Sequence, residues 1–404
     1  MSLIVQKYGG SSVANIDKIK NVAERVIEEY NKNNSVVVVV SAMGDTTDEL
    51  YGLMNQITKN PNPRECDMLL TTGEQVTISL LSMAIQAKGY KAISLTGSQV
   101  RIETNDQHNK AEIRKINNSR ISDELDKGKI VVVAGFQGIN SLDDFTTLGR
   151  GGSDTTAVAL AASLEADCCE IYSDVDGIYT ADPRIVPEAK KLSYISYEEM
   201  LELASLGANV LHPRSVELAK AYNMKLYIAS SFNYKPGTIV GRMEDMENKK
   251  SVTGVTSDKE EVKITVEKIP DRPGVAGQLF TKLAEKCINV DMIIQNLQHN
   301  QKNDITFTIN EADLASGKDF IEKTAKSLGA ENIIVDEEVA KVSIVGAGMI
   351  TTPGIAAKMF RILGDEEINI HSITTSDIKV SCLISKDQAE RAVKLLHTAF
   401  DLNE

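Results

Sequence analysis

The sequence predicts a layered α/β domain, an open sheet with helices on both faces, followed by two small α+β units of βαββαβ type. Three observations carry that prediction. Over residues 1–240, apolar runs alternate with stretches of helical periodicity. The runs themselves, "SVVVVVS" at 35–41 above all, are apolar on both faces, which suits strands covered by helices from each side. Beyond residue 250 the chain repeats itself at a constant offset of 80 residues.

Taken in order, strands are expected at Leu3–Tyr8, Ser35–Ser41, Lys91–Leu95, Ile130–Phe136, Cys168–Ser173 and Lys225–Ala229. Between them the periodicity predicts helices at Ile16–Lys32, Asp67–Lys88, Lys110–Lys127, Ser153–Leu164 and Tyr197–Leu206. A polar stretch, "GRMEDMENKKS" (Gly241–Ser251), then breaks the rhythm and reads as a linker.

The repeat aligns Arg272–Asn296 with Thr352–Ser376, and Pro273/Pro353, Gly274/Gly354, Phe280/Phe360, Leu283/Leu363 and Asn289/Asn369 are identical across it. The first copy offers strands at Val262–Glu267, Asn289–Leu297, Ile305–Ile309 and Ile333–Val335, with helices starting at Pro273 and Ala312. The second offers Lys341–Gly346, a helix, Ile368–Thr375, Lys379–Ile384 and the helix Lys386–Phe400, and lacks a last strand. The stretch "SVTGVTS" (Ser251–Ser257), ahead of the first copy, can supply it, so the first small unit is expected to be inserted within the second. The expected domains are 1–245, then 260–337, then 251–258 together with 338–404.

A formal charge of −13, from 57 acids against 44 bases, argues against a nucleic-acid or anionic membrane surface. A phosphorylated ligand would need a local basic pocket. No apolar run is read as approaching a membrane span of about 18–20 residues, and the start "MSLIVQKYGG" shows no secretory core, so a cytoplasmic location is expected. Five cysteines do not form a disulfide framework, and the adjacent Cys168–Cys169 pair reads as part of a strand. Five scattered histidines show no zinc spacing, so no protein-held transition metal is expected.

Two glycine turns follow strands in the large domain. "VQKYGGSSV" places Lys7, Gly9, Gly10, Ser11 and Ser12 after the first strand, where a compact cation and free N–H groups suit a phosphate. "TTLGRGGSDTTA" sets Arg150, Gly151, Gly152, Ser153 and Asp154 where an apolar helix begins, a seat for an anion. Neither matches the P-loop spacing, and the protein-kinase loop set is absent. "VVSAMGDTTDEL" ends a strand with Ser41 and offers Thr47, "TTGEQ" puts Glu74 at a helix start, and "YSDVDGIYTADPR" follows a strand with hydroxyls, acids and one arginine. Together these put polar residues after the carboxyl ends of several strands, where open α/β sheets bind ligands.

In that order, "KYGGSSV", "SAMGDTTDEL", "TTGE", "TTLGRGGSD", "YSDVDGIYTADPR", "LGANVLHPRSVE" and "PGT" resemble the aspartate kinases of the amino-acid kinase family, and the tail resembles their paired ferredoxin-like ACT domains. The resemblance implies an enzyme that passes the γ-phosphoryl group of MgATP to the side-chain carboxylate of L-aspartate, giving 4-phospho-L-aspartate, the first step toward lysine, threonine and methionine. A carboxylate is already ionised at neutral pH, so the catalytic task is alignment and charge neutralisation.

By similarity, Lys7 stabilises the transferring phosphoryl group, Gly9, Gly10 and Ser11 cradle phosphate oxygens with Ser41 near them, and Asp154 orients Lys7. Arg150 clamps an aspartate carboxylate with Gly151, Gly152 and Ser153 beside it, Glu74 attracts the substrate ammonium, and Thr47 adds a hydrogen bond. Ser173, Asp174, Tyr179 and Arg184 match nucleotide contacts, and Mg²⁺ is held mainly by ATP oxygens and water. Asn209 departs from the pattern, standing where some aspartate kinases carry a second cation. In the tail, Asp271, Gly274, Ala276, Asn289, Asp291 and Gln295 are implied to bind a regulatory amino acid, threonine or lysine, in a homodimer or larger oligomer joined through ACT domains. Two rival readings stand beside this one: another amino-acid kinase, and a catalytically inactive amino-acid sensor.

Overall fold

A computed structural model describes residues 2–207, 210–242, 250–297 and 302–403. These fall into two compact units, the first drawn from 1–179, 191–205 and 209–246, the second from 180–190, 206–208 and 247–404.

The first unit contains strands β1 (Leu3–Tyr8), β2 (Ser35–Val40), β3 (Ala92–Leu95), β4 (Ile102–Thr104), β5 (Ile113–Ile116), β6 (Ile130–Ala134), β7 (Gln137–Ile139), β8 (Phe145–Thr147), β9 (Cys168–Ser173), β10 (Tyr194–Ser196), β11 (Leu226–Ser230) and β12 (Thr238–Gly241). Its helices are α1 (Ile16–Asn31), α2 (Thr46–Ile57), α3 (Pro63–Leu70), α4 (Thr72–Ala87), α5 (Ser119–Asp126), α6 (Gly152–Ser163), α7 (Tyr197–Ser205) and α8 (Pro213–Ala221). Eight strands form one sheet in the order β10-β12-β11-β9-β1-β2-β6-β3, with β1 paired in parallel to both β2 and β9.

Val36 to Val40 are all fully buried, as a strand apolar on both faces requires. On one side Val22 and Val26 of α1 and Ile78, Leu81 and Ile85 of α4 pack on Val36, Val38 and Val40. On the other, α6 lies against β1, β2 and β9, and its buried residues run around the helix instead of along one stripe. A second, four-stranded sheet has the order β5-β4-β7-β8.

Several expectations need correcting here. The stretch 110–127 is not one helix, because β5 takes Ile113–Ile116 into the small sheet before α5 begins. The helix expected at 67–88 is two, α3 opening at Pro63 with the Asn62 side chain accepting from the Arg64 N–H, and α4 following after Thr71. Together they form a 25-residue helical run, Pro63–Ala87, of mean hydropathy 1.3, long and apolar enough to cross a membrane, where no such run was expected. Half of its most apolar window is buried inside the protein, so a core helix meets the same criterion. The strand after Ile130 stops at Ala134, since Phe136 adopts φ 68°.

In the second unit the first repeat is β14 (Glu261–Pro270), α9 (Val275–Glu285), β15 (Ile293–Leu297), β16 (Lys302–Asn310), α10 (Glu311–Ser327) and β17 (Asn332–Asp336). β18 (Val339–Val345), α11 (Ile355–Asp365), β19 (Ser372–Ser376), β20 (Lys379–Ser385) and α12 (Ala389–Ala399) make the second, and β13 (Gly254–Asp258) precedes both. The sheets have the orders β15-β16-β14-β17 and β13-β18-β20-β19. β13 thus sits beside β18 as β17 sits beside β14, antiparallel, with Thr256 opposite Ser343. Of the linker read at Gly241–Ser251, residues 243–249 lie outside the described residues.

Each repeat has its own apolar core. Val262, Ile264, Leu279, Leu283, Phe307 and Ile321 fill the first, and Val342, Ile344, Met359, Leu363, Cys382 and Leu396 the second. Phe307 is fully buried and meets Phe280 edge-on at 5.6 Å. Phe307→Ala is therefore expected to lower the stability of the second unit by about 3–5 kcal/mol, read from denaturant unfolding. A loss below about 1 kcal/mol would show that this core collapses around the gap.

Candidate active site

The site begins at the carboxyl end of β1. Side chains alternate across a strand, so Tyr8 joins the α1 side of the sheet, stacked on Tyr172 at 5.1 Å, while Lys7 points to the other face. There the Lys7 Nζ lies 2.6 Å from Asp154 Oδ1, and the two side chains are only 10% and 13% exposed. Asp154 stands in the first turn of α6, where backbone N–H groups and the helix dipole favour an anion.

The chain leaves β1 through a tight turn. Gly9 N–H donates to the Tyr172 carbonyl at 3.1 Å, and Gly44 N–H donates to Gly10 at 3.1 Å. A side chain at Gly10 would sit 3.1 Å from the carbonyl oxygens of Ala42 and Gly44, so this turn admits little beyond glycine. The Ser12 hydroxyl donates to Ser231 Oγ at 2.7 Å, which donates to the Ser173 carbonyl at 3.0 Å, tying the turn to the end of β9.

The second glycine turn enters α6. Gly151 has φ 70°, in the left-handed region, and a Cβ there would fall 2.2 Å from that of His212. Only glycine satisfies both demands. Arg150 beside it is exposed, and among the described residues it makes no ion pair.

Lys7, Ser41, Thr47, Glu74, Phe136 and the run Gly149–Asp154 line one cavity of about 280 Å³. Glu74 is 3% exposed, its Oε1 accepts the Ala42 N–H at 3.1 Å, and its Oε2 has no partner. Burial pushes this carboxyl up to about 8 against only backbone donors. A cation entering the cavity would meet a buried carboxyl that it could compensate on ionisation, and an anion would meet Lys7 and Arg150. The cavity can thus hold a small zwitterion carrying an extra carboxylate, beside a phosphate-sized anion.

The structure brings Lys7, Ser41, Thr47, Glu74, Arg150, Gly151, Gly152, Ser153 and Asp154 together on this cavity. Gly9 abuts it, since a Cβ there would lie 3.4 Å from Lys7 Nζ, and Gly10 and Ser11 follow in the same turn. Ser173 and Asp174 stand at the end of β9, and Tyr179 donates its hydroxyl to Asp176 at 2.7 Å, burial and that carboxylate pushing the phenol up to about 12. Arg184 does not line the cavity; it is 89% exposed, pairs with Asp182 at 2.7 Å, and lies in the 180–190 segment of the second unit. Asn209 lies outside the described residues. Phe136 escaped the sequence reading, because nothing in "AGFQG" announces a bulky residue in left-handed conformation at the mouth of a site.

In the second unit Asp271 accepts from the Asn303 amide at 2.9 Å, Gly274 caps α9, which holds Ala276, and Gln295 is exposed on the edge strand β15. Asn289 donates its backbone N–H to Asp313 at 3.3 Å. Asp291 Oδ2 lies 2.6 Å from Lys341 Nζ, a β18 residue of the second repeat that is 2% exposed and also contacts Glu261. Burial alone would lower the Lys341 ammonium, but Glu261 and Asp291 hold it above its ordinary value.

Residues 2–230 match the amino acid kinase family, and 262–324 and 342–400 match the ACT domain. The chain belongs to the amino acid kinase family. Within it, the chain is 49% identical to the aspartate kinase of Pseudomonas putida over 405 aligned positions, covering 100% of this chain and 98% of that one. The crystal structure of E. coli aspartokinase III in complex with aspartate and ADP (R-state) matches with a TM-score of 0.82 at 26% identity, covering 98% of this chain and 99% of that one. Its complex with lysine and aspartate (T-state) matches with a TM-score of 0.75 at 25% identity, covering 98% of this chain and 99% of that one. Sequence and fold agree in placing the chain among the aspartate kinases of the amino acid kinase family.

One property of this site can be checked without substrate. With Glu74 raised from 4.5 to about 8, the folded chain holds a proton in that window that the unfolded chain has released. Stability from this group is therefore full at low pH and is lost as pH rises through the folded value. Glu74→Gln stays neutral, so its stability advantage over the parent should grow from about pH 5 to pH 8 and then level off, measured by urea unfolding. A difference independent of pH would mean that Glu74 is ionised throughout.

Proposed function

We propose that this chain transfers the γ-phosphoryl group of MgATP to the side-chain carboxylate of L-aspartate, giving 4-phospho-L-aspartate, and so opens the route to lysine, threonine and methionine. The observation that carries the proposal is the single cavity where the buried Lys7–Asp154 pair, the exposed Arg150 and the half-satisfied Glu74 converge. In this reading Arg150 takes an aspartate carboxylate two-pronged, with Gly151, Gly152 and Ser153 beside it, Glu74 takes the ammonium, and Thr47 adds a hydrogen bond. Taking the ammonium favours ionised Glu74, so aspartate binding releases a proton.

Lys7 neutralises the transferring phosphoryl group, with Asp154 fixing where the ammonium stands. Gly9, Gly10, Ser11 and Ser41 receive phosphate oxygens, and Ser173, Asp174 and Tyr179 hold the rest of the nucleotide. Mg²⁺ travels on ATP oxygens and water, neutralising charge between them. The acceptor is already an anion, so no general base is assigned.

The domains proposed are a catalytic one at 1–245, a first ACT domain at 260–337, and a second at 251–258 with 338–404. The first would bind threonine or lysine through Asp271, Gly274, Ala276, Asn289, Asp291 and Gln295, a reading supported by the lysine-bound relative. Feedback then requires the effector to prefer one of two states of an assembled homodimer or larger oligomer. A cytoplasmic location goes with soluble substrates of this kind.

Hydroxylamine trapping of an acyl phosphate from ATP and aspartate tests the activity directly: product with aspartate supports it, product with glutamate alone favours another amino-acid kinase, and amino-acid binding without turnover favours a sensor. Arg150→Ala should raise the aspartate KM by two orders of magnitude or so, whereas Lys7→Ala should chiefly lower kcat. Near-normal kinetics in either variant would remove that residue from its role. For regulation, Asp291→Ala should raise the threonine or lysine concentration giving half-inhibition; an unchanged inhibition curve would reject the assignment.

A further inference from the structure

The loop that presents Arg150 is held by residues that do not line the cavity. Asp67, on α3, is fully buried. Its Oδ1 accepts the Thr147 hydroxyl at 2.6 Å, both oxygens receive the Asn109 N–H at 3.1–3.2 Å, and Oδ2 faces His108 Nδ1 at 2.6 Å. A carboxylate only accepts, so this contact puts a proton on Nδ1 of His108. Arg214 in the first turn of α8 donates Nη1 to the Leu148 carbonyl at 2.9 Å and Nη2 to the Ala111 carbonyl at 2.8 Å. The Leu148 N–H is itself taken by the Phe136 carbonyl at 2.9 Å.

Thr147 and Leu148, the two residues ahead of Gly149, are therefore fixed through side chain and backbone, and Arg150 stands one residue further on, after Gly149. Its own side chain makes no ion pair among the described residues and stays exposed. We propose that Asp67 and Arg214 are positioning residues for Arg150, presetting the backbone from which its side chain reaches the substrate carboxylate. This rests on the reading of Arg150 as the aspartate clamp. Preorganisation of this kind lowers the ordering cost at binding without adding a contact to the ligand. It should act on aspartate and leave the nucleotide alone.

The test is a double-mutant cycle on the full chain, read both as steady-state kinetics and as aspartate affinity by calorimetry. Asp67→Asn keeps size but turns an acceptor into a donor, and Arg214→Lys keeps charge but cannot reach two carbonyls in a fixed fork. In variants that retain the parent circular dichroism and a cooperative melt, each should raise the aspartate KM and Kd roughly ten- to a hundredfold, as loss of alignment by about an ångström does. The ATP KM should stay within about twofold. In the Arg150→Ala background the same substitutions should add nothing further, because they act through that side chain.

A purely structural role predicts a lowered fraction of active enzyme with unchanged KM, or penalties that add in the Arg150→Ala background, and either result overturns the proposal. A parent chain that neither binds nor phosphorylates aspartate overturns the functional reading and this proposal with it. A parent chain that does both, with variants of unaltered aspartate affinity, overturns the positioning role alone.

Discussion

Everything at this site depends on one ion pair, Lys7 with Asp154. The reaction assigned here brings two anions together, and like unit charges about 4 Å apart repel by about 4 kcal/mol at an effective dielectric of 20. A cation must already be in place, shielded from water so that its field is not wasted on solvent. Burying a lone ammonium costs several kcal/mol, so it needs a fixed counter-charge. Asp154 supplies that charge from the first turn of α6, and the pair joins the central strand to the helix packed over it.

The rest of the site follows from what the pair leaves undone. It neutralises charge but does not choose a substrate. In the reading proposed, choice falls to groups left incomplete: a buried carboxyl with one oxygen unpartnered, and a guanidinium with no ion-pair partner among the described residues. The first is costly to a folded chain, and it is the kind of local inconsistency that binding resolves. The glycines serve this economy of space, letting backbone approach where any side chain would collide.

Much of this was legible in the sequence because the signals are local. "SVVVVV" fixes a doubly covered strand, and Lys7, Arg150 and Asp154 sit within or beside glycine turns that follow strands. Glu74 and Thr47 were legible through family resemblance, since neither stands in a distinctive pattern of its own. What stayed hidden is non-local. Asp67 finds Thr147 across 80 residues, Arg214 finds Leu148 across 66, and Lys341 in the second repeat reaches Asp291 in the first. No periodicity marks such partners, because tertiary packing alone brings them together. The short strands of the small sheet were missed for a related reason: three or four residues are too few to show alternation.

The pairing of β13 with β18 has a consequence for synthesis. β13 leaves the ribosome before β18, its paired strand among the described residues, exists, since β18 lies about 80 residues downstream. At translation rates of about 5–20 residues per second, that strand spends roughly 4–16 s as an open edge while the intervening repeat is being made. The nascent chain passes through an interval in which a strand with its first three residues destined for burial still lacks its sheet neighbour. Slow decoding within 260–340 would lengthen that exposure, and rapid closure of the intervening repeat's own sheet shortens the path by which β18 comes home.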